Sequence, residues 1–132
     1  MEKIIVQIGW CDNYCAARDE ILGCVACSDT IEGIKKEYRS ALDFHIKGML
    51  EDGDELPEKL KNEYELVFEL DTSAMLHSLD GIVTRKAIAK VTGINEALLT
   101  HYANGFRKPR PVQRQRIIDG IHQIGRELTL IG

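Results

Sequence analysis

The sequence predicts an α+β protein, with a small βββαβ domain at residues 1–70 and an all-α domain at residues 71–132. Apolar residues form short β-branched runs at first and then recur at spacings of three and four, which favours strands followed by helices. Charge divides at the same place. Residues 1–70 hold 8 Lys/Arg and 16 Asp/Glu, a net charge of −8, whereas residues 71–132 hold 9 and 5, a net charge of +4. The division indicates two domains with different partners.

Three strands are predicted in the first domain, at residues 3–9, 14–18 and 23–28. A turn at residues 11–13 separates the first two strands, because Asp and Asn tolerate unusual backbone angles. Short strands with tight connections favour an antiparallel meander. A later apolar run at residues 66–70 predicts a fourth strand.

A helix of about five turns is predicted between the third and fourth strands, beginning near Ile31 and carrying apolar residues to Met49. Asp29, with Glu32 three residues later, fits a cap at its start. Asp52 and Gly53 end it. The acidic, polar residues 51–65 predict a solvated connection to the fourth strand.

The second domain is predicted to be helical, with helices at about 72–79, 84–91, 95–103 and 111–125. Its last apolar residues, 128–131, fit either a short terminal strand or an ordered tail.

Two of these helices have the features of a closely crossed pair joined by a tight turn. Ala89 is small enough for the crossing, and Gly93, four residues later, tolerates the positive φ that such a turn needs. Ile94 is expected to fill the corner, with Leu99 and Tyr102 directed into the core. This pattern predicts a helix-turn-helix; the alternative is a structural four-helix domain with the same spacing by chance.

The second helix of the pair then presents a polar outward face that could enter a major groove and meet base edges. Its candidate DNA-binding residues are Asn95, Glu96, Ala97, Thr100 and His101. Basic residues after it are expected to lie near phosphates, namely Arg107, Lys108, Arg110, Arg114 and Arg116.

Residues 72–125 resemble the lambda-repressor (XRE/Cro-type) helix-turn-helix family in these features. The segment Asn104-Gly105-Phe106-Arg107-Lys108-Pro109 is similar to the family's loop after the recognition helix. The resemblance implies binding to double-stranded operator DNA and regulation of transcription. A homodimer or higher homo-oligomer is expected, because one small helix-turn-helix contacts a half-site.

Cysteines occur at positions 11, 15, 24 and 27. No apolar run approaches the ~20 residues of a membrane span, and the N-terminus does not resemble a signal peptide. The sequence therefore predicts a cytoplasmic protein with reduced thiols. Zinc binding is the alternative to simple burial, but Cys24 and Cys27 lie on a predicted strand, where residues three apart face opposite sides.

Catalysis has weaker support in the sequence. His45 lies on the apolar face of the long helix, which favours a core or boundary position. Four acidic residues near the strands, Asp12, Asp19, Glu20 and Asp29, lack a metal-ligand spacing. We therefore predict no enzyme activity, no metal and no cofactor.

Residues 1–70 resemble the HicB family of antitoxins, whose fold is a partial RNase H-like sheet. The resemblance lies in Gly23-Cys24, in Ser28-Asp29-Thr30-Ile31-Glu32 at the helix start, and in the acidic segment from Glu51 to Pro57. It implies an antitoxin of a type II toxin-antitoxin pair. Such an antitoxin neutralises a small basic HicA-type toxin, which cleaves mRNA, and the antitoxin also represses its own operon. The alternatives are a stand-alone transcriptional regulator, whose first domain senses a ligand or oligomerises, and a nucleic-acid enzyme on an RNase H-like sheet.

Overall fold

The computed structural model describes residues 1–17 and 24–132, which form a four-stranded mixed sheet and five α-helices. The α+β prediction is confirmed at this level. The chain divides into two compact units, Met1–Asp71 (unit 1) and Thr72–Gly132 (unit 2). None of the helices in the described ranges is long and apolar enough to span a bilayer.

The sheet of unit 1 has four strands in the described residues, β1 (Glu2–Trp10), β2 (Tyr14–Ala17), β3 (Val25–Ser28) and β4 (Tyr64–Leu70). They lie in the order β3-β2-β1-β4. The predicted meander is confirmed, because β1–β2 and β2–β3 are antiparallel pairs. β4 returns after the helix to pair parallel with β1. Arg18 and Gly23, at the ends of the predicted second and third strands, lie outside the described residues.

Helix α1 (Ile31–Glu51) supplies one layer of the unit 1 core. Its buried side chains recur every four residues, at Ile34, Tyr38 and Leu42. The sheet contributes alternate residues of β1, namely Ile4, Val6 and Ile8, as the two-residue period of a strand requires. The Tyr38 ring meets the Phe68 ring of β4 edge to face, with centroids 6.0 Å apart.

The cap of α1 differs from the prediction by one residue. Thr30, not Asp29, is the N-cap, and its side-chain oxygen accepts a hydrogen bond from the Gly33 N–H at 2.9 Å. The physical reason is the backbone: Thr30 is extended (φ −130°, ψ 157°) directly before the first helical residue, which is the position from which a cap can reach an unpaired N–H.

The connection after α1 is less solvated than predicted. A short 3₁₀ helix, Glu58–Leu60, places Leu60 in the core with 5% of its surface exposed. β4 also begins at Tyr64, two residues before the predicted start. Leu56, Leu60 and Tyr64 lie four residues apart within the segment, but Leu60 is the buried one of the three, and local pattern does not distinguish it from the others.

The expectation of four reduced thiols is wrong for two of the cysteines. The antiparallel register places Cys15 directly opposite Cys27, with Cα atoms 4.2 Å apart, and their sulfur atoms form a disulfide. Such cross-strand neighbours are close enough to bond. Cys11 is an exposed free thiol and Cys24 is a buried one. Burial was expected for the cysteines in general, but of the four only Cys24 is buried.

Alkylation with iodoacetamide tests this arrangement. In the native, unreduced chain we expect rapid labelling of Cys11. Cys24 should react slowly, because burial raises the pKa of its thiol and leaves little thiolate at neutral pH. In urea without reductant, peptide mass spectrometry should find Cys11 and Cys24 alkylated. Cys15 and Cys27 should become alkylated only after the chain has been reduced. Labelling of Cys15 before reduction would contradict the disulfide.

Unit 2 contains four helices, in agreement with the prediction: α2 (Thr72–Ser78), α3 (Arg85–Thr92), α4 (Glu96–Ala103) and α5 (Pro111–Thr129). α5 continues four residues beyond the predicted end at 125. It therefore absorbs the first part of the 128–131 segment, and the terminal-strand alternative is wrong.

The core of unit 2 lies between these helices. Its buried members are Leu76, Ile88, Ile94, Leu99, Tyr102, Ala103 and Ile117. The inward orientation predicted for Ile94, Leu99 and Tyr102 is therefore confirmed. Ile121 and Ile124, half-buried on α5, pack against the same cluster.

The approach of α5 to α3 depends on Gly120, where an added Cβ would collide with Thr92 Cγ2. Gly120→Ala should therefore lower the free energy of unfolding by about 1–3 kcal/mol. Gly125, on the same helix, is the matched control, because a Cβ there meets nothing within 4 Å. Gly125→Ala should raise the free energy of unfolding by up to about 1 kcal/mol. Urea denaturation of the full chain measures both, and equal shifts would refute the close approach.

Candidate nucleic-acid interface

The turn between α3 and α4 is fixed by backbone and side-chain hydrogen bonds. Gly93 adopts the left-handed conformation (φ 73°), and its N–H donates to the Ala89 carbonyl at 2.8 Å. The buried Thr92 hydroxyl donates to the Ile88 carbonyl at 2.7 Å and accepts from the Ile94 N–H at 3.2 Å. Thr92, which the sequence analysis did not single out, thus connects the end of α3 to the turn.

Both helices of the pair begin with a side-chain cap. Thr84 accepts from the Ala87 N–H at 3.0 Å at the start of α3. Asn95 accepts from the Ala97 N–H at 2.8 Å at the start of α4. Asn95, a candidate DNA-binding residue, therefore has a structural role, since it satisfies one of the unpaired donors of the α4 N-terminus.

The C-terminal end of α4 is fastened to α2. The Ala103 carbonyl accepts a hydrogen bond from the Ser73 hydroxyl at 2.6 Å and lies 3.0 Å from His77 Nε2. His77 Nδ1 is 3.2 Å from Asp80, which in turn lies 3.6 Å from Arg85 at the start of α3. Together with the Asn95 cap at its start, these contacts hold α4 at both ends. The orientation of its outward residues follows from them.

The outward face of α4 brings the candidate base-contacting residues together. Asn95, Glu96, Ala97 and His101 are exposed, and Thr100 is half-buried. Thr100 and Glu96 also line a groove with the loop before α3, which includes Ile82 and Thr84. The result is one polar surface along a helix whose other side is in the core.

Cationic side chains collect beside the end of α4. The structure places Arg107, Lys108 and Arg110 around a shared groove with Tyr102 and Val112. All three cations are exposed. Because these side chains are exposed, they can contact a polyanion without any rearrangement of the core.

The other two basic residues expected near phosphates differ from this group. The half-buried Arg114 donates to the Thr72 hydroxyl at 3.0 Å, so its guanidinium helps to hold the start of α2. Arg116 is exposed, with one guanidinium nitrogen 3.5 Å from the Gln113 side chain.

Phe106 is a surface residue that the sequence analysis left outside its candidate set. Its side chain is 74% exposed, and its ring lies 6.0 Å from the ring of His101 on α4. A sequence signal existed: an aromatic residue immediately before Arg107 and Lys108, in the loop after the predicted helix at 95–103.

In unit 1, two of the four candidate acidic residues, Asp12 and Asp29, lie in the described ranges. Asp12 occupies the β1–β2 turn with φ 59°, and Asp29 precedes the cap of α1. Asp19 and Glu20 lie outside the described residues. Within residues 1–17 and 24–132, no three His, Cys, Asp or Glu side chains are grouped as metal ligands. His45 is half-buried on α1, as its apolar surroundings predict.

The chain is similar to a distant relative among known proteins. The chain is 27% identical over 108 residues to a protein of Haemophilus phage HP1, described as an uncharacterized 14.9 kDa protein in the rep-hol intergenic region. The match covers 80% of each chain. No family model matches the sequence.

Proposed function

We propose that this protein binds operator DNA through unit 2 and represses transcription. The observation that carries the proposal is the pairing of a fixed, outward-facing polar helix surface with three exposed cations beside it. α4 would act as the recognition helix of a lambda-repressor-like helix-turn-helix, with base contacts from Glu96, Thr100 and His101 and phosphate contacts from the cationic groove.

Gel shifts of the full chain on the DNA upstream of its own gene, compared with an unrelated duplex, test the repressor proposal. We expect tighter binding to the upstream DNA, and a steep loss of affinity between 50 and 200 mM salt, on the order of tenfold or more. Absence of salt-sensitive binding to any duplex would overturn DNA binding. Equal affinity for both duplexes would overturn specific repression.

For unit 1 we propose a HicB-type, partial RNase H-like module that binds a small basic HicA-type toxin. Its net charge of −8 over residues 1–70 supports a basic protein partner and disfavours a polyanion. Exposed carboxylates are concentrated at the end of α1 and just after it, at Glu51, Asp52, Asp54 and Glu55, of which Glu55 is paired with Lys61 Nζ at 2.7 Å. The last turn of α1 has no basic residue, so the partial negative charge of the helix C-terminus adds to theirs.

Co-expression with the product of a short neighbouring reading frame tests the antitoxin role. We expect the two proteins to co-purify and the complex to lack the RNA-cleaving activity of the partner alone. A chain that binds DNA but neither captures nor inhibits this protein would instead support the second candidate, a stand-alone regulator. The exposed Phe44 and Leu50 of α1, 81% and 61% exposed, favour that candidate's oligomerising form.

We further propose that the protein acts as a homodimer or higher homo-oligomer. Two copies would contact half-sites about one helical turn of DNA apart, roughly 34 Å. Sedimentation of the chain with and without a duplex carrying both half-sites measures this stoichiometry. One chain per duplex at saturation would contradict the proposal.

A further inference from the structure

The backbone of Phe106 is fixed by the motif that ends α4. The Phe106 N–H donates to the His101 carbonyl at 3.0 Å, and the Gly105 N–H to the Tyr102 carbonyl at 3.2 Å. Gly105 adopts the left-handed conformation with φ 77°. This pair of hydrogen bonds defines a Schellman motif, in which Phe106 follows the left-handed residue. The position of Phe106 is therefore set by α4 itself.

The ring of Phe106 nevertheless remains in solvent. In a Schellman motif, the residue at this position usually makes a hydrophobic contact with the last turns of the helix. Here the partner from that turn is His101, and the rings are tilted by 58° at a centroid distance of 6.0 Å. Phe106 stays 74% exposed, so most of its apolar surface contributes nothing to the core.

The surroundings of the ring suggest what could cover it. On one side lies His101, on the outward face of α4. Directly after it in the chain come Arg107 and Lys108, two members of the cationic groove. The ring thus lies beside the surface proposed to meet base edges and next to the residues proposed to hold phosphates. A duplex on this surface would cover the ring.

We infer that Phe106 is a specificity-determining residue that contacts the C5-methyl group of a thymine in the major groove. The thymine methyl is the apolar group that a major groove offers, and phenylalanine is among the side chains that contact it. Hydrogen bonding by α4 would be complemented by one apolar contact from its C-terminal motif. The inference rests on the proposed DNA-binding function of unit 2.

The test begins with selection of bound duplexes from a randomised DNA pool by the full-length chain. Each thymine of the enriched site is then replaced by deoxyuridine, which lacks the methyl group but keeps every hydrogen-bonding group. At one thymine in each half-site, we expect the replacement to lower the affinity of the wild-type chain about fourfold, the loss of one buried methyl group. Phe106→Ala should bind the thymine duplex correspondingly less tightly and be insensitive to the replacement, since the contact is already lost. Phe106→Leu should retain part of the sensitivity.

Leu128→Ala is the matched control, because Leu128 is also an exposed apolar residue of unit 2, 55% exposed, at the far end of α5. It should preserve both the affinity and the deoxyuridine sensitivity. Wild-type binding that ignores every deoxyuridine overturns the inference, whether or not the variants fold. So does a loss in Phe106→Ala that is equal on thymine and deoxyuridine duplexes, which would indicate a wedge between base steps instead. If the pool yields no enriched duplex, the proposal of sequence-specific repression itself fails.

Discussion

Replacement of both Arg107 and Lys108 by alanine is expected to weaken binding to every duplex, whatever its sequence. Both side chains are exposed and share one groove beside α4, so each can approach a phosphate. A hydrogen bond to a charged group contributes about 1.5–3 kcal/mol, so the double variant should lose on the order of a hundredfold or more in affinity at low salt. The slope of log K against log salt should fall by about 2, because two fewer phosphates are neutralised.

Lys36→Ala with Arg126→Ala provides the control for this variant. It removes the same charge from two exposed positions, on α1 and in the last turn of α5. If net charge alone governed binding, both double variants would lose equal affinity. If Arg107 and Lys108 contact phosphates directly, the control variant keeps the wild-type salt slope, as measured by fluorescence anisotropy of a labelled duplex across a salt series.

Leu99→Ala is expected to give the largest change in stability. Leu99 is fully buried on α4, on the side opposite the candidate base-contacting residues, and belongs to the core of unit 2. Removing its side chain leaves a cavity that costs about 2–5 kcal/mol in the free energy of unfolding. Urea denaturation followed by circular dichroism at 222 nm should show the loss.

Leu98→Ala is the matched control, because the neighbouring leucine of α4 is only partly buried. It should cost clearly less than Leu99→Ala. The reverse order would mean that α4 is rotated about its axis, and the assignment of Thr100 and His101 to the outward face would then be wrong.

Much of unit 2 could be predicted because its signals are local. Gly93 needs a positive φ, and Ile94, Leu99 and Tyr102 recur at helical spacing, so the chain near each residue determines its orientation. The order of elements in unit 1 was predictable for the same reason, since strands and helices differ in period.

Other features depend on partners that are distant in sequence. The disulfide of Cys15 and Cys27 follows from the register of two strands, which no local pattern specifies. Leu60 is buried by a 3₁₀ helix too short to have a period, and the collision at Gly120 depends on where α3 passes α5. The spacing of Phe106 from Leu99 and Tyr102 fits a core residue as well as a surface one, so its exposure is seen only in the folded structure.

Titration of the ¹⁵N-labelled full-length chain with an enriched duplex, followed by residue-resolved NMR, tests the central claim most directly. Chemical-shift changes in the backbone amides show where DNA binds. We expect the largest changes from Asn95 to Arg110, across α4 and the cationic groove, with smaller changes in residues 1–70. Largest changes in unit 1, or none near α4 at saturating duplex, would contradict the assignment of α4 as the DNA-contacting helix.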